Sequence, residues 1–102
     1  MDDRVARCLL LAQVLSADGI MAAPEKAFLE RAMSGLSLDA AERERVFAME
    51  GFEEAERVVR GMDEAARRAL VDELVAAALV DGKLSPHELT AVQGLTLRLG
   101  LG

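Results

Sequence analysis

Apolar residues at Val5, Cys8, Leu9, Ala12 and Leu15 recur at the three- and four-residue spacing of a helix. Leu10, Leu11 and Val14 widen that stripe until little of the segment is left for solvent, so the pattern predicts a central helix from about Asp3 to Leu15. Asp18-Gly19 stops it, because Gly supplies the left-handed backbone that a helix end often needs. Pro24 then suits the first turn of a second helix, which directs Phe28, Leu29, Ala32 and Met33 inward and leaves Glu25, Lys26, Glu30 and Arg31 on a solvated face. Gly35 to Ser37 breaks the pattern, and Asp39 serves as N-cap for a third helix, in which the polar block Glu42 to Arg45 precedes Val46 and Phe47. After Gly51 a fourth helix carries Phe52, Ala55, Val58 and Val59 as far as the break near Gly61. Asp63 caps a fifth, amphipathic through Ala66, Leu70 and Val71, wholly apolar from Leu74 to Val80, and stopped at Asp81-Gly82. Ser85-Pro86 opens a sixth that runs to about Gly100.

Composition narrows what such a chain can do. With 102 residues it fits one domain, residues 1–102, around a single core. Of these residues 52% are hydrophobic but only 3% aromatic, so the core is built from Leu, Val, Ala and Met, a mixture that favours helices over strands. The absence of Trp and Tyr removes the usual base-stacking side chains, and a formal net charge of -6 opposes binding to a phosphate backbone. The expectation is therefore no nucleic-acid partner. Cys8 is the single cysteine, placed on an apolar helix face where it acts as a small hydrophobe. With no intramolecular disulfide possible and no secretory signal pattern, a reducing cytoplasm fits best. The apolar runs Cys8 to Ala12 and Leu74 to Val80 are too short to span a bilayer.

The chain also repeats itself. Leu15-Ser16-Ala17-Asp18-Gly19 with Pro24 and Glu25 recurs as Ala78-Leu79-Val80-Asp81-Gly82 with Pro86 and Glu88. Asp18 and Asp81 lie 63 residues apart, as do Glu25 and Glu88, while the proline shifts by one. Each copy reads apolar helix, Asp-Gly, five residues, Glu, amphipathic helix. On these residues the chain resembles the tellurite-resistance TerB-like family, whose members carry paired units of this kind with a branched apolar residue two positions after the Gly. The copy that ends at Glu88 departs from the family pattern at Val80, and the copy that ends at Glu25 carries Met21 at the branched apolar position. The resemblance spans roughly Val5 to Leu101. It implies an all-α fold, a compact bundle of about six helices with two pseudo-symmetric helix-AspGly-helix units. It further implies an association with tellurite or other metal and envelope stress, and acidic residues suspected of binding divalent metal.

Two physical readings of the repeated acids stand side by side. If the two units pack together, Asp18, Glu25, Asp81 and Glu88 can converge, and four carboxylates would attract a hard divalent cation, Ca²⁺, Mg²⁺ or Mn²⁺, in preference to Zn²⁺. His87 is the one imidazole that could join them. The loops are not EF-hands: counting from Asp18, positions three, five and twelve are Ile20, Ala22 and Leu29, and from Asp81 they are Lys83, Ser85 and Val92. The other reading is structural. Ser85 and Glu88 have capping-box spacing, and a first-turn Glu suits the helix dipole, contributing a few tenths to about 1 kcal/mol. Asp18 and Asp81 can likewise order their turns by hydrogen bonds to local backbone. The unit with Glu25 has Ala22 where the other has Ser85, so it keeps the acid without the capping hydroxyl.

Catalysis finds little material, with one His, one Cys on an apolar face, no Tyr and no Gly-rich phosphate loop. The helix after Asp18-Gly19 offers Lys26 and Arg31 against Glu25 and Glu30, which is no basic recognition helix. The expectation is a non-catalytic binding or regulatory module. The competing reading is a metal-independent interaction domain, in which Met21, Met33, Met49 or Met62 form an adaptable groove for a protein partner, against the ordinary role of such residues in filling a core. Self-association as a homodimer is a further outlet for so apolar a chain.

Overall fold

The computed structural model describes residues 1–19, 21–79 and 85–101. Among these, six helices and no strand are present: α1 (Asp3–Leu15), α2 (Ala23–Gly35), α3 (Ala40–Ala48), α4 (Phe52–Arg60), α5 (Glu64–Ala78) and α6 (Pro86–Arg98). The all-α bundle expected from the periodicity is what forms. Its Cα radius of gyration, 12.3 Å, is that of a compact chain of this length. No helix among the described residues is long and apolar enough to cross a membrane.

Local chemistry sets the helix ends. Asp2, Asp39 and Asp63 accept hydrogen bonds from the N–H groups of Arg4, Glu42 and Ala66, and the Ser85 hydroxyl accepts from Glu88 N–H, so four N-termini have one orphan donor satisfied by a side chain. Between α3 and α4 the chain reverses through two consecutive left-handed caps, Met49 at φ 54° and Gly51 at φ 85°. Gly51 adopts this without penalty, whereas Met49 does so at a steric cost.

Helix α1 is the axis of the molecule. Leu9, Leu10, Ala12, Val14 and Leu15 have no exposed surface, and Cys8 and Leu11 almost none. A helix buried on every face needs neighbours all round: α1 packs on all five other helices, most extensively on α4. One apolar core results, drawing Leu29 and Met33 from α2, Val46 from α3, Ala55 and Val59 from α4, Leu70 and Leu74 from α5, and Val92 and Leu95 from α6.

Three expectations need correcting or bounding. Glu25, assigned to the solvated face of α2, is 2% exposed. The apolar run of α5 is not uniformly inward: Leu74, Ala77 and Ala78 are buried, but Val75 and Leu79 face solvent at 38% and 47% exposure. Helix α5 ends at Ala78 with Leu79 as C-cap, while the stop assigned to Asp81-Gly82 lies outside the described residues. Met33 is in the core, and Met21, Met49 and Met62 are partly buried against it.

Candidate functional site

The two repeats carry their acids to matching places in the secondary structure. Helices α2 and α6 are both 13 residues long, and each begins and ends 63 residues from the other. Glu25 and Glu88 therefore occupy the same third position of the first turn, and each is 2% exposed. They are the only buried charged side chains among the described residues. Burial of a carboxylate requires compensation, and part of it is local. Glu25 Oε1 accepts from the backbone N–H of Ala22 at 3.0 Å. Glu88 Oε1 accepts from the Ser85 hydroxyl at 3.2 Å, and that hydroxyl accepts from Glu88 N–H at 3.1 Å. Glu25 thus returns to its N-cap without any hydroxyl at position 22, so its retention beside Ala22 has a structural cause of its own.

Asp18 sits in the turn after α1, exposed to solvent. That turn is closed by Gly19 N–H donating to Ser16 O at 2.9 Å, with Gly19 at φ 93°. Its equivalent, Asp81, lies outside the described residues. Among the described residues no three His, Cys, Asp or Glu side chains are grouped so as to hold a metal ion by themselves. His87 is exposed on the first turn of α6. Cys8 is a buried free thiol, and burial, reinforced by the negative charge of Glu73, pushes its pKa up to about 11.

The matching extends to two arginines that periodicity did not single out. Arg4 donates through Nη1 to the carbonyl of Leu36 at 3.0 Å, and Arg67 donates through Nη1 to the carbonyl of Leu99. Leu36 and Leu99 are the C-caps of α2 and α6, and both the arginines and their acceptors are 63 residues apart. A guanidinium at a helix C-terminus satisfies an orphan carbonyl and complements the dipole. The common offset of 63 would have flagged them.

A second feature is an open groove between α5 and α6, about 460 Å³ in volume and lined by Val71, Val75, Val92, Gln93, Thr96 and Leu97. Leu97 stands on its lip, 67% exposed, the highest exposure of any large hydrophobic side chain among the described residues. Neither Leu97 nor Val75 stands out in sequence, because each lies in an apolar helical segment that reads as core.

No curated protein and no solved structure matches the chain. A family model described as "Tellurite resistance protein TerB" matches residues 4–102, nearly the whole length. Taken with the six-helix bundle and its two equally placed buried glutamates, that match means that the chain belongs to the TerB tellurite-resistance family.

Proposed function

We propose that this chain is a non-catalytic binding module of the tellurite or metal-stress response, acting in the cytoplasm. Its acidic repeat, Asp18, Glu25, Asp81 and Glu88, binds a divalent cation. The observation that carries the proposal is the pair of glutamates held at 2% exposure in the same first-turn position of α2 and α6. The donor set is all oxygen and anionic, which suits Ca²⁺, Mg²⁺ or Mn²⁺ and disfavours Zn²⁺. A cation there would supply charge compensation for carboxylates held out of water. The buried thiol of Cys8, protonated at neutral pH with its pKa near 11, is a poor nucleophile, which favours binding over catalysis.

The test is calorimetric titration of the chelator-treated chain with Ca²⁺, Mg²⁺, Mn²⁺ and Zn²⁺, beside a Glu25→Gln, Glu88→Gln double variant and an Asp18→Asn, Asp81→Asn double variant. Glutamine keeps a side-chain oxygen for the cap while removing the charge. Saturable binding of a hard cation, lost in variants of unchanged helicity, is the expected result. Wild-type protein that neither takes up heat nor gains thermal stability with any of the four cations refutes the metal site. The acids then act as caps alone.

A further inference from the structure

The offset of 63 is also kept in the backbone where α2 and α6 end, remote from the acids. Leu38 N–H donates to Met33 O, and Leu101 N–H to Thr96 O, both at 3.0 Å. Ser37 N–H donates to Ser34 O, and Gly100 N–H to Leu97 O, again both at 3.0 Å. Ser37 and Gly100 share a left-handed backbone, at φ 58° and 77°. Each helix therefore ends in the same left-handed stop, which satisfies carbonyls of its own last turn. The arginines act outside that stop. Arg4 and Arg67 reach the C-cap carbonyls of Leu36 and Leu99 from α1 and α5, so each bond ties one helix to another. Arg4 pairs as well with Asp2 and with Glu42 of α3, but the tie to the carbonyl is the part that both repeats keep.

We propose that Arg4 and Arg67 are positioning residues for Glu25 and Glu88: each guanidinium fixes the end of its helix remote from the acid, and through that helix holds the glutamate in its buried place. Glu25 precedes Leu36, and Glu88 precedes Leu99, by eleven residues, about 16 Å along a helix axis. Leu29 and Val92, the middle residues of α2 and α6, are buried. Both helices pack chiefly on α1 and α5, and their outer faces, Lys26, Glu30 and Ser34 on α2 and Leu89, Gln93 and Leu97 on α6, are exposed. A helix gripped midway along one face rocks most at its ends, where displacement is angle multiplied by distance. A carboxylate at 2% exposure tolerates little of that movement, because a small tilt of the first turn readmits water. Tying the last turn to α1 or α5 removes the rocking. The positioning stands on these bonds alone, whereas its effect on cation affinity rests on the acids being the cation site proposed above.

Amide exchange followed by NMR tests it, with rates referred to the amide of Leu9 in α1 so that a change in global opening cancels. The reporters are Ala22 N–H, which donates to Glu25, and Glu88 N–H, which donates to Ser85. Arg4→Met should speed exchange at Ala22 about tenfold and leave Glu88 within about twofold, and Arg67→Met should do the converse. Arg98→Met removes a different cation from the last turn of α6, one paired with Glu56, and should leave both reporters unchanged. The affinity for Ca²⁺, Mg²⁺ or Mn²⁺ should fall about tenfold in the first two variants and not in the third. Faster exchange confined to the last turn of α2 or α6, equal disturbance of both reporters by either variant, or the same effect from Arg98→Met each overturns the proposal. Wild-type protein that binds no cation refutes the metal site, and the exchange pattern then decides the positioning by itself.

Discussion

Truncating Leu9 to alanine tests whether α1 is the axis on which the fold depends. Leu9 lies near the middle of α1 with no exposed surface, and its helix is packed on five others. A site enclosed on all sides cannot collapse around a lost side chain, so Leu9→Ala should cost about 3–4 kcal/mol, within the usual range for Leu→Ala in a rigid core. With an unfolding entropy of roughly 2.1 cal/mol/K per residue, a chain of this size loses about 15 °C of melting temperature for that change. Asp72, the residue 63 positions on, is exposed on α5, and Asp72→Ala should stay within about 0.5 kcal/mol, or roughly 2 °C. Thermal melts followed by circular dichroism, with urea titrations to check that the m-value is unchanged, measure both. Equal shifts for the two variants, or a Leu9→Ala shift below about 5 °C, would refute the central placement of α1.

The remaining predictions concern caps and the thiol. Removing the N-cap hydroxyl with Ser85→Ala should cost about 1 kcal/mol, while Ala22→Ser, which completes a capping box with Glu25, should add about 0.5–1 kcal/mol; opposite shifts in urea midpoint check both. Cys8 has a folded pKa of about 11 against a model value of 9.0. A thiol whose pKa is raised by folding contributes stability that is fully present below pH 9 and is lost as pH rises from about 9 to about 11. Cys8→Ala should flatten that part of the pH–stability profile, and native Cys8 should react with thiol reagents at pH 8 only as fast as the chain opens. Arg67→Met removes the guanidinium from the carbonyl of Leu99 and should cost about 1–2 kcal/mol by thermal melt, with fraying of α6 seen as faster amide exchange near its C-terminus.

Much of the candidate site was legible because its signals are short-range. Glu25 and Glu88 were found by their spacing from Asp18-Gly19 and Asp81-Gly82, and their first-turn positions followed from the helix starts. Their burial was not legible. Glu25 was assigned to a polar face because its neighbours Lys26, Glu30 and Arg31 are polar and exposed, yet at the first turn the carboxylate reaches back to Ala22 N–H and leaves solvent. Arg4 and Arg67 look like ordinary charged residues near helix starts until the C-termini of α2 and α6 are seen beside them.

The order of the six helices and the starts of α3, α5 and α6 were determined by the sequence alone, since periodicity acts within one or two turns and Asp39, Asp63 and Ser85 bond to backbone only three residues away. Only the tertiary structure decided which apolar faces are covered. Leu9 and Val75 lie in equally apolar helical segments, but the first meets neighbours on every side and the second opens onto a groove. The reason is physical: an apolar side chain is driven from water wherever a partner surface is available, and its own sequence neighbourhood does not say how many helices converge on it.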